Sequence, residues 1–132
     1  MFPGKEEFMN KTEQELLSKL VDIYNPDGYD WMGTPITKNN PLTYHHIVKR
    51  DENNTTLENG ALLTKSSHRK LNMLEAKDID LYDEWNWLFY AINFSQTHPS
   101  TAYHEMMEEL KEQTEETIYG KNKSLSLSKI KH

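Results

Sequence analysis

The sequence predicts an α+β domain in which a strand–loop–strand–helix unit packs with about three additional α-helices. Three observations carry that expectation. Apolar residues recur at helical spacing in three long stretches, and two short strand-like runs, the first with β-branched and aromatic residues, lie between the first two of these. The chain's 132 residues suffice for one domain but not for two ordinary ones. Hydrophobic residues at 36% and charged residues at 27% give a modest core under a well-solvated surface.

Thr12 and Glu15 fit a capping box, with Leu16, Leu17, Leu20, Ile23 and Tyr24 following at helical spacing, so a helix is expected over about 13–24. The turn signal Asn25-Pro26-Asp27-Gly28 stops it. From there to Pro41 the chain reads as an irregular segment anchored to the core by Tyr29, Trp31 and Met32. A first strand is expected over 42–48, a polar loop over 51–56, and a second strand over 61–63, entered through Asn59-Gly60. Thr64, Ser66 or Ser67 then caps a helix running to about Ala76. The stretch 78–95, rich in large apolar groups that include Trp85 and Trp87, reads as the central packing helix ended by His98-Pro99. Over 102–118, Tyr103, Met106, Met107, Leu110, Thr114 and Thr117 share one side of a last helix and glutamates the other. A single domain is thus expected over 1–119, followed by a flexible basic tail over 120–132.

Composition excludes several classes. Cysteine is absent, so there is no disulfide framework, and any metal must be held by nitrogen and oxygen ligands. No apolar run has the length of a signal peptide or a membrane span. A soluble cytoplasmic protein with no membrane partner is expected. The net charge of -6, from 15 basic and 21 acidic residues, weighs against nonspecific nucleic-acid binding. It is unevenly spread: residues 42–72 carry Lys49, Arg50, Lys65, Arg69 and Lys70 against Asp51, Glu52 and Glu58. The tail is basic, and the last helix holds most of the acidic excess.

The chemistry-bearing residues fall inside the strand–loop–strand–helix unit: His45-His46, Asn59, His68 and Asn72. Neighbouring side chains of a strand point to opposite faces, so His45 and His46 cannot share one role. His68 and Asn72, four apart on a helix, share a face and can bind one ion together. An ion held by His45, His68 and Asn72 keeps positions open for water and phosphate. Taken singly, each has a bland reading: an incidental histidine pair, a turn dipeptide, a surface or capping histidine. Their order and spacing single them out.

The stretch TYHHIVKR…LENGALLTKSSHRKLN resembles the HNH nuclease motif, which forms a ββα-metal fold. The resemblance implies that His45 and His68 are metal ligands with Asn72 as the third, and that His46 is the general base activating water. It implies that Asn59 pins the loop and orients His46 through hydrogen bonds. The activity implied is metal-dependent phosphodiester hydrolysis that nicks DNA, with Lys49, Arg50, Lys65, Arg69 and Lys70 available to flanking phosphates. The cofactor is one divalent ion: Mg²⁺ or Mn²⁺ suits the amide oxygen of Asn72, and Zn²⁺ or Ni²⁺ is the alternative. Nucleic acid is the expected partner, and a partner protein or a second copy of the chain would extend what one site can do. The resemblance covers roughly 42–75 and departs from the family in two respects. Asn72 stands where His is common, and the cysteine pairs of many HNH domains are missing. Two rival readings are a binding module of the same fold without efficient cleavage, and an acidic inhibitor acting through Glu108, Glu112 and Glu115.

Overall fold

The computed structural model describes residues 9–96 and 101–120, the side chains of Thr101 and Ala102 excepted. Among these residues the chain is α+β, with four helices and one two-stranded antiparallel sheet. The order is α1 (Lys11–Tyr24), β1 (Leu42–His46), β2 (Gly60–Thr64), α2 (Lys65–Lys77), α3 (Ile79–Ser95) and α4 (Thr101–Tyr119). The basic tail beyond Gly120 and the His98-Pro99 stop lie outside the described residues. No helix among the described residues is long and apolar enough to cross a membrane.

Helix α1 begins earlier than the Thr12–Glu15 box implies. Its N-cap is Asn10, whose Oδ1 accepts the Glu13 amide at 2.8 Å while Glu13 Oε1 accepts the Asn10 amide at 3.1 Å. The sequence holds two overlapping boxes, and the earlier one adds half a turn of helix. At the other end Asn25 takes the left-handed conformation (φ 44°) and donates to Val21 O, closing the helix where the turn signal stands.

Strands β1 and β2 pair from Leu42↔Thr64 to His46↔Gly60. Strand β1 stops at His46 rather than Val48, because Asn59 captures the backbone of Val48 with its side chain. Helix α2 follows β2 without a loop. Thr64 Oγ1 accepts the Ser67 amide at 3.2 Å, and Asn40 Oδ1 accepts the Ser66 amide at 2.9 Å, so two first-turn donors are satisfied by side chains.

The strand alternation sorts the hairpin into two faces. Tyr44 and His46 pair across from Leu62 and Gly60 and face α1, whereas Thr43 and His45 pair across from Leu63 and Ala61 and face α2 and α3. Helix α4 packs on α2 and α3. Gly60 is required by space: a Cβ there would sit 2.5 Å from Tyr44 Cε2 and 2.7 Å from Leu20 Cδ1.

The core centres on aromatic contacts. The Tyr24 and Trp31 ring centres lie 5.0 Å apart edge-on, and those of Trp85 and Phe89 lie 5.8 Å apart, stacked. The Trp85 indole donates to Thr114 Oγ1 at 2.8 Å, so the buried ring keeps its one polar group paired. Trp87, however, is 70% exposed and Tyr29 58% exposed, and neither is a core residue as the sequence reading had them. Two helical residues on, a side chain has turned by about 200°, so Trp87 points away from the face that Trp85 buries. Met106 is likewise exposed, while its neighbour Met107 is buried.

Asp30 ties the irregular segment to this core. Its Oδ1 accepts the amides of Met32 (2.9 Å) and Thr34 (2.8 Å), and its Oδ2 accepts the amide (2.7 Å) and hydroxyl (2.8 Å) of Thr64. One buried carboxylate thereby fixes the 30–34 turn to the junction of β2 and α2.

Candidate functional site

Strand β1 and helix α2 bring His45 and His68 together. Their ring centres are 5.2 Å apart with planes at 85°, and Phe89 of α3 closes the other side of His45 at 5.7 Å. His45 is buried, and its Nε2 lies 2.8 Å from Asn86 Oδ1. The Nδ1 atom of half-buried His68 lies 3.0 Å from Thr43 Oγ1. Asn72 sits one turn further along α2, exposed to solvent.

Burial pushes the His45 pKa down to about 3, the neighbouring His68 adds to that shift, and the hydrogen bond that His45 makes to Asn86 opposes it only in part. The ring is therefore neutral at ordinary pH. Since the unfolded chain takes up a proton near pH 6.5 and the folded one does not, stability attributable to His45 is complete above that pH and is lost as pH falls toward 3. In EDTA, urea unfolding is expected to lose about 2 kcal/mol between pH 7 and 5 through this group. The His45→Gln variant should lack that component; an unchanged pH slope would show that His45 is not held neutral.

His46 points to the opposite face. Its Nε2 is 2.8 Å from Thr55 Oγ1, and its ring meets Tyr44 edge-on with centres 4.9 Å apart. Burial lowers its pKa, with the Glu13 carboxylate opposing that shift and the Arg50 guanidinium assisting it. A neutral imidazole near neutral pH results, which is the form a proton acceptor needs.

Asn59 closes the loop between the strands. Its Nδ2 donates to Val48 O and Asn54 O, both at 3.0 Å, and its Oδ1 accepts the Val48 amide at 2.8 Å. The expected hydrogen bond from Asn59 to His46 is not among those described. His46 is instead bonded to Thr55, within the loop that Asn59 closes. An Asn59→Ala variant is expected to lose about 1–3 kcal/mol and to show faster amide exchange at Val48; unchanged exchange there would contradict the pinning role.

The five cations of this unit have different fates. Lys49 pairs with Glu75 at 2.9 Å and Lys70 with Glu115 at 2.9 Å, both spent on carboxylates of the same chain. Arg50 and Arg69 are exposed, Lys65 is half-buried, and Arg50 is close enough to His46 to influence its charge. A cleft lined by Asn10, Thr12, Arg50, Glu52 and Thr55 opens on the His46 side of the hairpin. Among the described residues, no group of three or more His, Cys, Asp or Glu could hold an ion. An ion shared by His45 and His68 would need amide or water oxygens to complete it.

Thr43, Thr55 and Asn86 were not singled out by sequence reasoning. For Asn86 a signal existed: Asn86 and Asn93 are seven apart in a helix rich in large apolar residues, hence on one buried face, where a polar group must have a partner. Asn93 meets that demand by donating to Leu57 O and Gly60 O. Thr43 and Thr55 carry no comparable signal.

Comparison with family models, with curated proteins and with solved structures finds no match to this chain.

Proposed function

We propose that the chain is an HNH-type, metal-dependent endonuclease acting on DNA. The observation that supports this reading most is the edge-on pair of His45 from β1 and His68 from α2, with ring centres 5.2 Å apart. Two imidazoles that share one tetrahedral ion through bonds of about 2.0–2.1 Å have ring centres about 5 Å apart. The hairpin with a side-chain-pinned loop, running directly into a helix, is the arrangement that the motif leads one to expect.

The donor set is neutral: imidazoles from His45 and His68, with the amide oxygen of Asn72 as third ligand. It fits a divalent ion, Mn²⁺ or Mg²⁺ by its amide oxygen and Zn²⁺ or Ni²⁺ by its imidazoles. Such an ion, when bound, supplies Lewis-acid stabilisation of charge developing on the phosphate oxygens. His46 is the general base. With Nε2 held against Thr55, its Nδ1 receives the proton of the attacking water. Because β1 ends at His46, the scissile phosphate approaches over the strand end, where the two faces of the hairpin meet. Asn59 keeps the loop in place, and Arg50 and Arg69 hold flanking phosphates.

A binding module that keeps this fold without turnover is the second reading, favoured by the net charge of -6 and by the capture of Lys49 and Lys70 in ion pairs. A labelled DNA duplex incubated with Mg²⁺, Mn²⁺, Zn²⁺ or Ni²⁺ separates the two. The nuclease yields fragments bearing 5′-phosphate and 3′-hydroxyl ends, and EDTA stops their formation. Retention of intact duplex under every ion would replace the nuclease by the binding module.

A further inference from the structure

We infer that Asn86 and Thr43 are positioning residues, which fix opposite tautomers of His45 and His68 and so direct one imidazole lone pair from each ring to a shared divalent ion. The role of that ion rests on the nuclease reading; the tautomers do not.

Two neighbouring groups have a hydrogen-bonding sense fixed by their chemistry. Asn86 Nδ2 donates to Tyr82 O at 3.0 Å, and a carbonyl only accepts. The amide is thereby oriented, so the atom facing His45 Nε2 at 2.8 Å is the oxygen, another acceptor. His45 must carry its proton on Nε2, which leaves the lone pair of the neutral ring on Nδ1.

Thr43 settles the second ring in the same way. Its hydroxyl has one hydrogen, given to Leu63 O at 2.7 Å. Toward His68 Nδ1, 3.0 Å away, Thr43 Oγ1 can therefore only accept. His68 is protonated on Nδ1, and the lone pair of its neutral form is on Nε2. Either opposite tautomer would set two acceptors against each other in a protein interior, at about 1–3 kcal/mol each.

Two further observations separate this arrangement from plain packing. Among the described residues His45 makes no second hydrogen bond, yet no fully buried side-chain nitrogen or oxygen lacks a partner. The Nδ1 edge of His45 is thus not engaged by another described protein group, which leaves its lone pair available to an ion. Ala61, the small residue paired across from His45, adds little bulk to the face where the two imidazoles meet. Outer partners that set tautomer and ring orientation typically contribute 10–100-fold to metal affinity.

Long-range ¹H–¹⁵N spectra of the metal-free full chain, labelled at histidine, read the tautomers directly. The expected wild-type result is Nε2–H for His45 and Nδ1–H for His68. Zn²⁺ titration by calorimetry then reads the consequence. Asn86→Leu and Thr43→Val are each expected to weaken binding 10–100-fold, while Asn86→Asp and Thr43→Ser, which keep an acceptor, recover most of it. Circular dichroism melting of each variant identifies any that fails to fold, and the acceptor-retaining pair carries the comparison in that case. The inference is overturned if His45 is protonated on Nδ1, if Asn86→Leu binds Zn²⁺ as tightly as wild type, or if wild type binds no Zn²⁺. Correct tautomers and Zn²⁺ binding without DNA cleavage would uphold the inference and remove the nuclease reading.

Discussion

Replacing Asp30 by alanine is expected to destabilise the protein by about 3–5 kcal/mol, a large share of what holds a domain of this size together. Asp30 is 3% exposed, and its two oxygens accept from Met32, from Thr34 and twice from Thr64. Truncation strands those donors in a dry interior, where each unsatisfied group carries a penalty of roughly 1–3 kcal/mol, partly relieved by relaxation. The damage also reaches α2, because Thr64 is its N-cap and Asp30 holds the Thr64 hydroxyl in place. Asp30→Asn keeps one acceptor oxygen and should lose about half as much. Urea unfolding checks both variants, and a loss below about 1 kcal/mol for alanine would contradict the role given to this carboxylate.

His46→Ala is expected to lower the rate of DNA nicking by about 10²–10⁴-fold, the usual contribution of a positioned general base. Metal affinity should hardly change, because His46 lies on the hairpin face opposite His45 and His68. The pH profile carries a second signature. A general base works unprotonated, and burial holds the His46 pKa below its ordinary value, so the wild-type rate should rise with pH along a curve whose midpoint lies below the ordinary histidine value of about 6.5. A rise centred above that value would assign the ionisation to a different group.

Much of the fold was legible because its signals are local. Helical periodicity located three of the four helices and the cap candidates the other, all to within about two residues, and Thr64 was among the caps proposed. What failed depended on partners far away in sequence. Whether Trp85 or Trp87 enters the core turns on where α3 meets α4, which two aromatic letters cannot reveal. Asp30 reads as an ordinary loop residue, since its acceptor role is defined by Thr64, 34 positions later. The candidate site divides along the same line. The strand, turn and cap signals located the strand–loop–strand–helix unit, and the alternation rule put His45 and His46 on opposite faces. The partners that orient those rings came from a different strand position, from the loop and from α3: Thr43, Thr55 and Asn86. No motif spans those distances.

The proposed role of His46, on a hairpin whose other face carries the His45–His68 pair, is to activate water for phosphodiester hydrolysis. Its most direct test is conversion of supercoiled plasmid by wild type and by His46→Ala at low salt, each with Mn²⁺ at saturating occupancy and with EDTA. Open-circle product is expected from wild type only, dependent on the ion, with His46→Ala binding Mn²⁺ equally well and leaving the plasmid intact. Equal nicking by the two proteins, or none by a wild type shown to hold the ion, would contradict that role.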